Sequence, residues 1–215
     1  MTGGTGPRVV ICDYGVGNLR SVERALLSAG ARVEVSGDAR ALLEADGVVL
    51  PGVGAFGAAA DALQASGLRD VVLEVVASGR PLLGVCVGYQ LLFDWSEENG
   101  GRAGLGVLPG RVVRIAPERG KVPHMGWNRL RIHRPSPLLA GVPDGAHVYF
   151  VHSYQAQGVP ADALVADTDY SGAVPALVER GNVAGTQFHP EKSGTDGLRI
   201  YANFTALCGA ATAVR

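Results

Sequence analysis

Cysteine is scarce in these 215 residues, with only Cys12, Cys86 and Cys208. Three thiols cannot all pair with one another and none has metal-ligand spacing, so a disulfide framework and a zinc site are both excluded. A reducing, intracellular setting is the expectation, with no metal and no cofactor. Charge is sparse too: Asp, Glu, Lys and Arg make up 18% of the chain, and mean hydropathy is +0.17. Much of the chain should therefore be buried in a core or docked on a partner. No apolar run is long enough for a membrane helix, and the start, Met1-Thr2-Gly3-Gly4-Thr5-Gly6-Pro7, lacks the apolar centre of a signal peptide. These absences predict a soluble, cytoplasmic protein without a membrane partner. No linker, repeat or low-complexity tract divides the chain, so residues 1–215 are expected to form one domain, with 1–7 flexible.

What is present centres on Gly84-Val85-Cys86-Val87-Gly88-Tyr89-Gln90. Residues 80–83 upstream read as a short buried strand, and Leu91, Leu92 and Trp95 downstream recur at helical spacing. A cysteine with glycines at −2 and +2, between strand and helix, is the thiol counterpart of the G-x-S-x-G elbow. Glycine there permits a sharp turn and close approach of a substrate. At a helix N-terminus the thiolate and a developing oxyanion are both favoured. The plain alternative is a buried core cysteine.

A nucleophilic thiol needs a base, and Gly185-Thr186-Gln187-Phe188-His189-Pro190-Glu191-Lys192-Ser193 offers one. Residues 183–188 read as a strand, which puts His189 at its end. In an extended segment, i and i+2 project to one side, so Glu191 can hold one imidazole nitrogen and leave the other to the thiol. A structural, hydrogen-bonded histidine is the alternative. Leu50-Pro51-Gly52-Val53-Gly54-Ala55-Phe56-Gly57 follows a third apolar run at 47–50. Such a loop can aim backbone N–H groups at an oxyanion. It lacks both the G-K-[ST] ending and the G-x-G-x-x-G pattern of phosphate cradles.

Together, P-G-x-G, G-x-C-x-G-x-Q and F-H-P-E resemble the signature of class I, triad-type glutamine amidotransferases, over nearly the whole chain. Four further segments narrow the resemblance to the glutaminase subunits of imidazole glycerol phosphate synthases. They are Asp13-Tyr14-Gly15-Val16-Gly17-Asn18-Leu19, Lys121-Val122-Pro123-His124-Met125-Gly126-Trp127-Asn128, Tyr149-Phe150-Val151-His152-Ser153-Tyr154 and Glu191-Lys192-Ser193. The resemblance implies a flavodoxin-like α/β fold and a Cys86-His189-Glu191 triad that hydrolyses glutamine. It implies an oxyanion site at the Val87 N–H and the Gly52, Val53, Gly54 loop, and glutamine contacts from Gln90, Ser153 and Tyr154. It also implies a (β/α)8-barrel cyclase as partner in a heterodimer, with Asn18, Trp127, Asn128, Tyr149 and Lys192 as interface candidates. Ligand on the cyclase would activate the glutaminase, and a peptide reorientation in the 52–54 loop would be a fitting switch. Service to another acceptor synthase, free γ-glutamyl hydrolysis, and an idle scaffold on the same fold remain as rival readings. Trp127 as a core residue and Gln90 as a structural amide are open at this point too.

The remaining pattern gives architecture and charge. Apolar runs at 9–11, 33–35, 48–50 and 82–85 alternate with helical stretches at 18–29, opened by Asn18 and ended by Gly30, and at 70–77. That alternation predicts a mostly parallel central sheet with helices on both faces. From about Gly101 the pattern turns β-rich, with no clear helix before 197–207. Net charge is −5 over residues 1–100 (7 basic, 12 acidic), +7 over 101–134 (8 and 1) and −3 over 135–215 (4 and 7). The basic set is Arg102, Arg111, Arg114, Arg119, Lys121, Arg129, Arg131 and Arg134. Without interleaved aromatics or a reader fold it does not suggest nucleic acid. It is read either as a solvated face or as a surface that steers an acidic partner.

Overall fold

The computed structural model describes residues 6–116, 120–170 and 172–213. Of the residues expected to be flexible, 1–5 lie outside that range, as does Arg119 of the basic stretch.

The strands are β1 (Arg8–Cys12), β2 (Arg32–Ser36), β3 (Gly47–Leu50), β4 (Leu82–Val85), β5 (Trp95–Ser96), β6 (Arg102–Ala103) and β7 (Arg111–Arg114). They continue as β8 (His124–Arg129), β9 (Arg131–Ile132), β10 (His147–His152), β11 (Tyr154–Gln157), β12 (Leu164–Asp169), β13 (Ala173–Arg180) and β14 (Val183–Thr186). The helices are α1 (Leu19–Ser28), α2 (Ala39–Leu43), α3 (Phe56–Ala65), α4 (Leu68–Ala77), α5 (Val87–Gln90) and α6 (Gly194–Ala213).

An eight-stranded sheet in the order β2-β1-β3-β4-β14-β13-β12-β9 forms the centre. β2, β1, β3, β4 and β14 run parallel, and β13, β12 and β9 extend them antiparallel. β3 (GVVL) and β4 (LLGV) are buried at every position, as strands covered on both faces must be. The cover is helical: α1 packs against α6, while α2 and α3 pack against α4. Right-handed crossovers send α1 to one face and α2, α3 and α4 to the other, because the chain moves one way from β1 to β2 and the other way from β2 to β3 and β4. Val22, Ala25 and Leu26 form the buried stripe of α1, and Ile200, Tyr201, Phe204 and Cys208 that of α6. Two smaller sheets, β8-β10 and β11-β7-β5-β6, sit beyond the central one.

Three expectations need adjusting. Asn18 occupies the N-cap of α1 but makes no side-chain cap bond. The final helix is longer than its pattern, Gly194–Ala213. The elbow helix α5 has four residues only, and Trp95 lies on β5. The chain leaves the helix because residues from a distant segment take its carbonyls. Leu105 N–H donates to Leu91 O at 2.7 Å and Leu108 N–H to Leu92 O at 2.8 Å. One turn has little macrodipole, so α5 offers the elbow less of that field than a full-length helix would.

Candidate active site

β3, β4 and β14 are neighbours and parallel, so the residues after their C-terminal ends converge. These are the 51–54 loop, Cys86 and the segment leading to His189. Cys86 has φ 54° and ψ −110°, a left-handed backbone that costs a non-glycine residue of order 1–3 kcal/mol. Its N–H donates to Thr186 O at 2.8 Å, which pins the turn to β14. The flanking glycines are required by space: a Cβ on Gly84 would lie 2.8 Å from Tyr89 Cα, and one on Gly88 would overlap the Leu50 carbonyl oxygen.

His189 follows β14 and is reached by Tyr149 O, which accepts its backbone N–H at 2.9 Å. Its Nδ1 is 2.8 Å from Glu191 Oε1, with both side chains almost fully buried. The expected i, i+2 pairing is present, but its geometry differs from an extended segment. Residues Pro190–Lys192 form a 3-10 turn that folds Glu191 back beneath the imidazole. Tyr201 O–H donates to Glu191 Oε2 at 3.4 Å, and Ser193 O–H donates to His189 O at 2.6 Å, fixing the turn from α6 and from within. Burial works against an imidazolium at His189. Hydrogen bonds to Cys86 and Glu191, and their negative charge, outweigh it and push the pKa up to about 10. This arrangement holds a proton between thiol and imidazole, in the geometry of a nucleophile, a base and an orienting carboxylate.

Cys86 and His189 open into a cavity of ≈ 380 Å³ whose walls include Val53, Gly54, Val87 and Gln90 on one side and Ser153 and Tyr154 on the other. Gln90 Nε2 donates to Tyr154 O and to Gln187 Oε1, each at 3.0 Å, so its amide is structural while its residue still lines the cavity. Gly52, expected in the oxyanion loop, is not among the residues lining this cavity. Its carbonyl accepts the Val87 N–H at 3.4 Å. Glu98 escaped the sequence reading although it lines the same cavity. Its Oε2 accepts the Phe56 N–H at 2.7 Å, supplying the N-terminal cap that Ala55 cannot. The contact spans 42 positions, and only the acidic pair Glu97, Glu98 just after the elbow hinted at it. Among the described residues no group of three or more His, Cys, Asp or Glu side chains is placed to hold a metal ion.

Residues 10–207 match the family model "Glutamine amidotransferase class-I". The chain belongs to that family. Within it, the chain is 54% identical over 202 residues to an imidazole glycerol phosphate synthase subunit HisH of Geobacillus kaustophilus, covering 92% of this chain and 95% of that one. A subunit of the same name from Halobacterium salinarum is 51% identical over 215 residues, covering 96% of both. Among solved structures, PurLQS from Thermotoga maritima superposes with a TM-score of 0.75 at 20% identity, covering 93% of this chain and 98% of that one. A structure titled glutamine amidotransferase gives 0.74 at 23%, covering 94% and 98%. These two establish the fold of a class-I glutamine amidotransferase.

The interface candidates of this glutamine amidotransferase divide by strand register. β8 and β10 pair antiparallel with Trp127 opposite Tyr149 and Met125 opposite Val151. Met125 (62% exposed) and Trp127 (56%) therefore stand on the outer face, and Trp127 is not a core residue. Trp127 and Tyr149 meet edge to face at 6.1 Å, and Lys192 Nζ sits 5.6 Å from the Tyr149 ring centre. Asn128 is on the inner face, where its Nδ2 donates to Asp169 O at 2.9 Å and its Oδ1 accepts the Arg129 N–H at 2.8 Å. Asn18 ends the loop after β1, beside Gly17, which abuts Pro51. The basic stretch is partly consumed inside the chain: Arg131 pairs with Asp167 at 2.8 Å, Arg134 with Glu179 at 3.4 Å, and Arg102 with Asp61. Burial would raise the Asp167 carboxyl, but hydrogen bonds from Arg131 and His133, and their charge, outweigh it and hold the group below its usual range. No helix among the described residues is long and apolar enough to cross a membrane.

Proposed function

We propose that this chain hydrolyses glutamine to glutamate and ammonia in the cytoplasm, as a single domain spanning residues 1–215. The ammonia passes to a (β/α)8-barrel cyclase in a heterodimer. The cyclase joins it to a phosphorylated ribulosyl-formimino carboxamide ribotide, giving imidazole glycerol phosphate and an aminoimidazole carboxamide ribotide for histidine biosynthesis. The observation that carries the reading is the buried Cys86, His189 and Glu191 array at a strained elbow that opens into a cavity. Identities near 50% with HisH subunits favour this acceptor over a chorismate- or nucleotide-aminating one.

His189 Nε2 takes the Cys86 proton, and the thiolate attacks the carboxamide carbon of glutamine. The tetrahedral oxyanion is met by the N–H of Val87 and by one from Gly52, Val53 or Gly54. As the C–N bond breaks, His189 returns the proton to the leaving nitrogen, and water then hydrolyses the γ-glutamyl thioester. Ser153, Tyr154 and Gln90 line the path of the substrate, and the Glu98 carboxylate is a fitting counter-ion for its α-ammonium.

The bond from Val87 N–H to Gly52 O engages one of these proposed oxyanion donors at rest. Rotating the peptide between Gly52 and Val53 would free one N–H and bring in a second. Each such donor is worth about 10²–10³ in rate. A cyclase that drives this rotation when it holds its own ligand would make the glutaminase conditional on an acceptor. Docking would use the exposed Met125, Trp127 and Tyr149 face, flanked by Asn18 and Lys192. Cys86→Ser tests the chemistry: glutamine-dependent synthesis should vanish while synthesis from ammonia persists. Retained glutamate release would refute it.

A further inference from the structure

Two histidines outside the Cys86 array form part of a continuous hydrogen-bond chain whose direction is fixed by its far end. His152 Nδ1 is 2.9 Å from Tyr154 O, His124 Nδ1 is 2.9 Å from His152 Nε2, and Asn128 Nδ2 is 3.3 Å from His124 Nε2. A carbonyl oxygen only accepts, so His152 must carry its proton on Nδ1. Its Nε2 is then an acceptor, so His124 must also carry its proton on Nδ1, and its Nε2 in turn accepts from Asn128. The remaining Asn128 contacts agree, since its second N–H goes to Asp169 O and its oxygen takes the Arg129 N–H. Every link therefore points from Asn128 towards Tyr154.

The chain sits on the inner face of the β8 and β10 pair. The His124 ring is stacked between Phe150 (4.6 Å) and Tyr170 (4.0 Å). Its far end is the wall of the cavity, where Tyr154 O also accepts from Gln90. Its near end is one residue from Trp127 on the outer face. We propose that Asn128, His124 and His152 are positioning residues for glutamine binding: their one-way hydrogen-bond chain holds the backbone of Ser153 and Tyr154 at its working distance from Gln90 and Cys86. The proposal rests on reading the cavity as the glutamine site.

Protonating either ring would set donor against donor. The surroundings oppose that: burial pushes His124 down to about 4. Burial, and secondarily the nearby His124 and His189, carry His152 down to about 3 against its bond to Tyr154. Both rings are thus neutral beside a His189 that tends to charge.

The test has two arms. In 15N-histidine-labelled protein at pH 7, long-range 1H–15N spectra should show His124 and His152 as neutral Nδ1–H tautomers. An Nε2–H tautomer at either position would overturn the proposal without any turnover being measured. For kinetics, the chain assembled with its cyclase is assayed for L-glutamine hydrolysis. His124→Phe keeps the ring stack and removes both bonds, and Asn128→Asp keeps the shape but puts an acceptor where the donor stood. Each should raise KM for glutamine about 5- to 30-fold and leave kcat within about threefold. Asn128→Asp should also turn His124 to its Nε2–H tautomer, which leaves Nδ1 with no proton to give His152 Nε2. Unchanged KM in both variants, or a fall in kcat at constant KM, would overturn the proposal. If His124→Phe fails to melt cooperatively, Asn128→Asp decides the kinetic arm. A wild-type complex that releases no glutamate instead sinks the proposed function, leaving the tautomer result to judge the chain itself.

Discussion

Replacing Glu191 by Gln isolates what the buried carboxylate does. The exchange keeps volume and removes a charge that lies 2.8 Å from His189 Nδ1, in a side chain 1% exposed. Carboxylate oxygens can only accept, so Glu191 forces the Nδ1 proton towards itself and leaves Nε2 free for the thiol. A glutamine amide is ambiguous. Tyr201 O–H already donates to the second oxygen at 3.4 Å, so the amide oxygen is drawn there and the NH2 turns to His189. That orientation favours the Nε2–H tautomer, which cannot accept the Cys86 proton. The loss of a partner charge also removes part of what raises the His189 pKa to about 10. By analogy with other triads, kcat/KM for glutamine should fall about 10²- to 10⁴-fold, or about 3–5.5 kcal/mol of transition-state stabilisation. Synthesis from added ammonia should be unaffected. Alkylation by iodoacetamide gives a second readout that needs no substrate. Cys12 and Cys208 are buried and pushed up to about 12 by that burial, with Asp13 and Asp46 respectively adding to it, so the reaction at neutral pH reports Cys86. The alkylation rate should drop in the variant. A folded Glu191→Gln chain within threefold of wild type in both assays would refute the account of the triad.

Other expectations follow from the same geometry. Trp127→Ala should weaken cyclase binding by more than tenfold in a titration and leave the free chain's Tm unchanged, because the ring is 56% exposed; a lowered Tm would mean the ring packs internally. Arg129→Glu should slow association with the cyclase, most at low salt. Arg131→Glu should act through stability, since it breaks the pair with the 3% exposed Asp167 carboxylate; an association effect from Arg131 alone would reverse this assignment. His152 has a folded pKa lowered from 6.5 to about 3, so its contribution to stability is full above pH 6.5 and is lost as pH falls. Urea melts at pH 7 and 5 should differ by about 2 kcal/mol more in wild type than in His152→Gln, and equal differences would show that His152 is not held neutral.

The parallel half of the sheet and the elbow were legible because their causes are local. The short apolar runs of β3 and β4, followed by glycine-containing turns, read as interior strands and are buried at every position, and Gly84, Cys86 and Gly88 stand within five positions. His189 and Glu191 are two apart, so their pairing was legible although the 3-10 turn that makes it was not. What was hidden depends on contacts between distant residues. The helical pattern at Leu91 and Leu92 failed to extend because Leu105 and Leu108 N–H groups take their carbonyls. Glu98 acquires its place only by reaching Phe56, and Asn128 turns inward only because of the register that sets Trp127 against Tyr149. The basic stretch looked uniform in one dimension, yet Arg102, Arg131 and Arg134 find carboxylates from three separate elements.

The most direct test of the central claim is glutamate release from glutamine by the purified chain in three states: alone, with the barrel cyclase, and with cyclase plus its nucleotide ligand. With Val87 N–H bound to Gly52 O at rest, activity should be low alone and rise by at least 10² when the ligand is present. High activity in the free chain, indifferent to cyclase and ligand, would contradict the gated oxyanion site and with it the proposed partner.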